Sequence, residues 1–138
     1  MKLTNTLTMK RKAGMTLLEL TVVILVLLSL ISILFIGARA WKKGSDRAAN
    51  ILNIRNVQQA VRAHANVRGL LEGAACPVAD IIGTGKYLNT VTPPIADITY
   101  TTPAEVVPAM GTLYLVATYG GTATVADYGP TAGSYSEW

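Results

Sequence analysis

From Leu20 to Ala38 the chain passes nineteen residues without a charged side chain. A helix rising about 1.5 Å per residue needs ~20 mostly apolar residues to cross a bilayer core of ~30 Å, and residues 15–38 supply them. The segment is rich in Leu, Val and Ile, and Ser29 and Ser32 are its only polar breaks after Thr21. Those hydroxyls can bond back to the helix or allow another helix to approach closely. One carboxylate, Glu19, stands just inside the apolar run. A charged side chain at membrane depth costs roughly 2.5–3.5 kcal/mol even on lenient insertion scales, so this acid either has a partner or sits, without a role, at the headgroup boundary.

The charge balance of the chain is uneven. The formal net charge is +4, and Lys2, Lys10, Arg11 and Lys12 account for all of it. Residues 39–68 carry seven bases and one acid, whereas residues 69–138 carry one base, Lys86, and six acids. The basic balance therefore reflects a leader and a basic helix facing an acidic second half, and does not by itself announce nucleic-acid binding. Bases precede the apolar run, and Arg39, Lys42, Lys43 and Arg47 follow it, so charge alone leaves its orientation open.

At 138 residues the chain is one domain plus an N-terminal segment. Residues 1–14 read as a leader, without apolar periodicity. After the apolar helix, Gly44-Ser45 is expected to loosen the chain, with Ser45 capping a restarted helix. Ile51, Ile54, Val57, Val61 and Ala65 then fall on one face at helical spacing, giving an amphipathic helix over 39–69 that Gly69 ends. Glycines and prolines make 69–97 irregular, with short helical or turn pieces around Val78–Ile82 and Tyr87–Leu88. Three antiparallel strands are expected, over 98–102, 112–118 and 122–126, with Gly120-Gly121 turning between the last two. One face of that sheet should cover the Ile51–Ala65 stripe, because so small a sheet needs a helix for stability. Trp138 is expected either to tuck back or to sit at a subunit contact.

Lys10-Arg11-Lys12-Ala13-Gly14, then Met15-Thr16-Leu17-Leu18-Glu19-Leu20 and an unbroken apolar helix, resembles the type IV pilin-like family of pilins and pseudopilins. The resemblance implies an α+β lollipop, with a long N-terminal helix on a small antiparallel sheet. It implies cleavage between Gly14 and Met15 by a prepilin peptidase and methylation of the new N-terminus at Met15. It implies that the Glu19 carboxylate meets the N-terminal ammonium of a neighbouring subunit as a filament of a pilus or type II secretion pseudopilus is built. The implied partners are the peptidase, the bacterial inner membrane and other pilin-like subunits, with the C-terminal head in the periplasm. The sequence departs from the family's common pattern in places. Met15 replaces the usual phenylalanine, residues 20–36 hold no Gly or Pro, and a lone Cys76 rules out a disulfide-closed C-terminal loop. The acids Asp80, Asp97, Glu105 and Asp127 are scattered and form no calcium motif, and no metal or cofactor is expected.

Two other readings stand beside this one. Ala38-Arg39-Ala40 has the form of a signal-peptidase site, although the apolar run is longer than the ~7–15 residues of a signal core and begins with an acid. A signal-anchored single-pass protein would need no cut at all. An enzyme is not expected: His64 has no acid or second ligand nearby in sequence, Cys76 reads as a buried hydrophobe, and Gly83-Thr84-Gly85-Lys86 has the wrong spacing for a phosphate loop and reads as a turn. For Arg39, Lys42, Lys43 and Arg47 two roles compete, anionic headgroups at the membrane surface or the acidic head of a neighbouring subunit. Nucleic-acid contact has little support, since no aromatic residue but Trp41 lies among the bases.

Overall fold

The computed structural model describes Gly14 and residues 16–138. The leader bases Lys10, Arg11 and Lys12, and the expected mature N-terminal residue Met15, lie outside the described residues. The described chain is α+β, and it divides into two compact units between Ala38 and Arg39. Helix α1 spans Leu17–Arg68, 52 residues, and the remaining elements are α2 (Val78–Ile81), β1 (Ile98–Thr101), β2 (Val116–Tyr119) and α3 (Val125–Tyr128).

The helix does not loosen at Gly44-Ser45, contrary to the sequence expectation. One glycine weakens a helix by only about 1 kcal/mol. Residues on both sides are tied to later parts of the chain, through Lys43–Asp127 and Arg47–Thr131, so the turn between them is held. The expected end at Gly69 is present. Gly69 sits at φ +66°, and the Leu70 N–H bonds to the Ala65 carbonyl at 2.8 Å, closing the last turn in a Schellman arrangement.

In the first unit every large apolar side chain from Leu17 to Ile36 is exposed, between 44% at Val23 and 80% at Leu17. The hydroxyls of Thr21, Ser29 and Ser32 donate to carbonyls three or four residues back, at 2.8–3.1 Å, so the helix satisfies its own polar groups.

The second unit has its core on the far half of α1. Ile54 and Val57 are 1% and 0% exposed, and Val61 and Ala65 are buried with them against Cys76, Ile81, Val107, Tyr114 and Leu115. Ile51 is only half-buried at the edge of this face. The face also buries three polar residues, Asn50, Gln58 and His64, that apolar periodicity does not mark. Each amide holds a distant segment. The Gln58 Nε2 donates to the Thr112 carbonyl at 2.9 Å, and its Oε1 accepts the Tyr114 N–H at 3.0 Å. The Asn50 Nδ2 donates to the Tyr119 hydroxyl and the Tyr128 carbonyl, and its Oδ1 accepts from the Tyr100 hydroxyl at 2.8 Å.

The sheet has two strands, not three. β1 pairs antiparallel with β2, with Ile98 opposite Tyr119 and Thr101 opposite Val116. β2 starts at Val116 rather than Thr112, because Gln58 takes the backbone carbonyl of 112 and N–H of 114 that a strand would offer to a neighbour. Tyr114 and Leu115 are then buried consecutively, without the alternation a strand imposes. The third expected strand, 122–126, is instead a tight turn leading into α3. The Asp97 carboxylate accepts from the Thr122 N–H and hydroxyl at 3.2 and 3.3 Å, and the Thr124 hydroxyl caps α3 by accepting from the Asp127 N–H. Gly121 sits at φ +58°, and a Cβ there would stand 2.6 Å from the Asp97 Oδ2, so this turn requires glycine.

Candidate functional site

The residues singled out from sequence fall at the two ends of the apolar stretch. At its start, Gly14 is exposed and lies before the helix. Thr16 is the residue before α1, and Glu19 is in the first turn. The Glu19 Oε2 accepts the Thr16 N–H at 3.0 Å, and the Thr16 Oγ1 accepts the Glu19 N–H at 3.3 Å. This is a capping box, in which two helix-terminal donors that have no partner in the helix are satisfied reciprocally. The Thr-x-x-Glu signal for it was present in the sequence. An acid in the first turn also complements the positive end of the helix dipole. A carboxylate has about four acceptor sites, so the cap leaves Glu19 able to accept a further donor.

At the other end, Arg39, Lys42, Lys43 and Arg47 divide into two pairs. The Lys43 ammonium bonds to the Asp127 carboxylate at 2.7 Å and stands 6.0 Å from the centre of the Tyr128 ring. The hydrogen bond from Lys43, helped by the Thr124 hydroxyl, lowers the Asp127 pKa from its ordinary value. The Arg47 Nη2 reaches the Thr131 hydroxyl at 3.4 Å. Both therefore hold the C-terminal part of their own chain. Arg39 and Lys42 are exposed and make no ion pair among the described residues, and neither does the half-buried Asp46. Together with Lys43 they line one side of a cleft of about 470 Å³, with Asp97, Thr122 and Tyr128 opposite. Trp41, between the two free bases, is 79% exposed.

The remaining candidates have structural surroundings. The His64 ring meets Tyr87 edge-on, with 5.7 Å between centroids, and no group of three metal-ligating side chains forms among the described residues. Cys76 is a free, fully buried thiol, and burial raises its pKa. The Tyr114 hydroxyl donates to the Cys76 carbonyl at 2.6 Å. Residues 83–86 form a turn. Trp138 tucks back: its carbonyl accepts from the Arg62 Nη2 at 3.1 Å, and the Arg55 guanidinium lies 4.9 Å from its ring centre.

By length and composition α1 can cross a membrane, and among the described residues the apolar window that qualifies it is 0% buried. Comparison with protein-family models, with curated proteins and with solved structures gave no match.

Proposed function

We propose that the chain is a filament-forming subunit of the type IV pilin-like kind, cleaved after Gly14, methylated on Met15, and assembled by packing of its apolar helix against other copies. The observation that carries this reading is the apolar surface of Leu17–Ile36, exposed among the described residues, with a single acid at its first turn. In the bilayer lipid covers that surface, and in a filament neighbouring helices do. The amine released at Met15 supplies a cation for Glu19 of an adjacent copy, where little water competes for either charge. Capping and pairing are compatible uses of the same carboxylate. Assembly places the subunit in the bacterial inner membrane before extraction, with residues 39–138 in the periplasm.

The mature N-terminus tests this reading. Expressed beside a prepilin peptidase, the chain should begin at Met15 and be one methyl group heavier by mass spectrometry. A chain beginning at Trp41 would show signal-peptidase cleavage instead. The capping box favours a second reading, a signal-anchored single-pass protein, because it gives Glu19 a use within one helix. An uncut chain would support that reading.

A further inference from the structure

The cleft beside Arg39 combines two unpaired bases with an unpaired acid at a definite level. Along α1, Arg39 and Lys42 come first after the apolar stretch, and Asp46 follows one turn beyond Lys42, about 6 Å further along the axis. Lys42 and Asp46 are correctly spaced for an ion pair along the helix, yet form none. Lys43 and Asp127 neutralise each other, so among the described residues the free charges at the cleft are Arg39, Lys42, Asp46 and Asp97, and Asp97 is engaged by Thr122. This balance does not favour a purely anionic ligand. It suits a zwitterion whose phosphate lies toward the apolar end of the helix and whose cation lies away from it. A phospholipid headgroup bearing an amine has that order, because its phosphate is attached on the hydrocarbon side. The exposed Trp41 ring fits the same level, since tryptophan concentrates where hydrocarbon meets headgroups.

We propose that this cleft binds the headgroup of an amine-bearing phospholipid, its phosphate on Arg39 and Lys42 and its ammonium on Asp46. The site rests on the reading of residues 17–38 as a membrane helix, but not on cleavage or filament assembly. It holds the chain at a fixed depth where α1 leaves the bilayer.

The test uses the full chain in vesicles of phosphatidylethanolamine and phosphatidylcholine, treated with a water-soluble carbodiimide. This reagent joins a carboxylate to a primary amine as an amide and takes up the water released. Flotation first establishes insertion. The expected result is a lipid adduct mapped to Asp46, absent in pure phosphatidylcholine and lost in Asp46→Asn. In Arg39→Gln/Lys42→Gln it should fall about tenfold or more, since the phosphate loses both of its charge-assisted hydrogen bonds. Arg68→Gln, at the far end of α1 from the cleft, should leave it unchanged. An inserted chain that gives no adduct, or adducts spread over Asp97 and Glu137 regardless of the Arg39 and Lys42 changes, would overturn the site alone. A chain that does not float with vesicles would overturn the membrane reading, and the site with it.

Discussion

The two halves of α1 are continuous in backbone and opposite in use. Leu17–Ile36 carries sixteen large apolar side chains, and all of them are exposed among the described residues. Asn50–Ala65 buries eight side chains, three of them polar. The more hydrophobic half is thus the exposed one among the described residues, and the half that packs the second unit does so through a mixed surface. Apolar burial supplies stability in the second unit, whereas Asn50 and Gln58 select which loop lies where. An apolar stripe can slide by a turn at little cost, but an amide that feeds both a carbonyl and an N–H cannot.

Substitutions can sharpen this contrast. Ile54→Ala should destabilise the second unit by about 2–5 kcal/mol, while Leu27→Ala in the first unit should change it by less than ~0.5 kcal/mol. Denaturant titration of the full chain in detergent micelles reads both, and similar losses for the two would erase the distinction. Gln58→Ala removes no large apolar group, yet it strands the Thr112 carbonyl and the Tyr114 N–H, and should cost about 2–4 kcal/mol in the same assay.

The Tyr114 hydroxyl gives a smaller effect with a pH signature. Burial raises its pKa above the ordinary 10.0, so its contribution is complete below pH 10 and is lost as pH rises beyond it, where the unfolded chain ionises first. Tyr114→Phe should destabilise by about 1–2 kcal/mol at neutral pH, by leaving the Cys76 carbonyl unpaired, and should flatten the alkaline loss. Smallest of all is the exposed Lys43–Asp127 pair. Its lowered carboxyl pKa means that its contribution is complete above the ordinary 3.8 and fades as pH falls through the folded value. Lys43→Gln should therefore shift unfolding slightly at pH 6, and by less as pH falls below the ordinary carboxyl value.

The apolar run and helical periodicity located the two halves of α1, Gly69 its end, and β-prone composition β1, because each rests on local chemistry; of the helical or turn piece expected around Val78–Ile82, the helix α2 forms. The extent of β2 was not legible, since Gln58, more than fifty residues away, takes the backbone that Thr112–Leu115 would have offered to a strand. Thr122–Ala126 was misread for a related reason. Its β-prone composition is overruled by Asp97 and by the Thr124 cap. The basic run was legible as a cluster, but its division into an internal clasp and a free pair depends on Asp127 and Thr131, which no sequence spacing connects to it.

Glu19→Gln separates the cap from the charge, because an amide at that position can still accept the Thr16 N–H while the negative charge is gone. Filament formation should be followed by electron microscopy beside the mass of the mature N-terminus. Normal cleavage after Gly14, normal methylation of Met15, and few or no filaments are expected. Filaments as abundant as those of the unmodified chain would show that Glu19 serves only as a helix cap, and would contradict assembly through its charge.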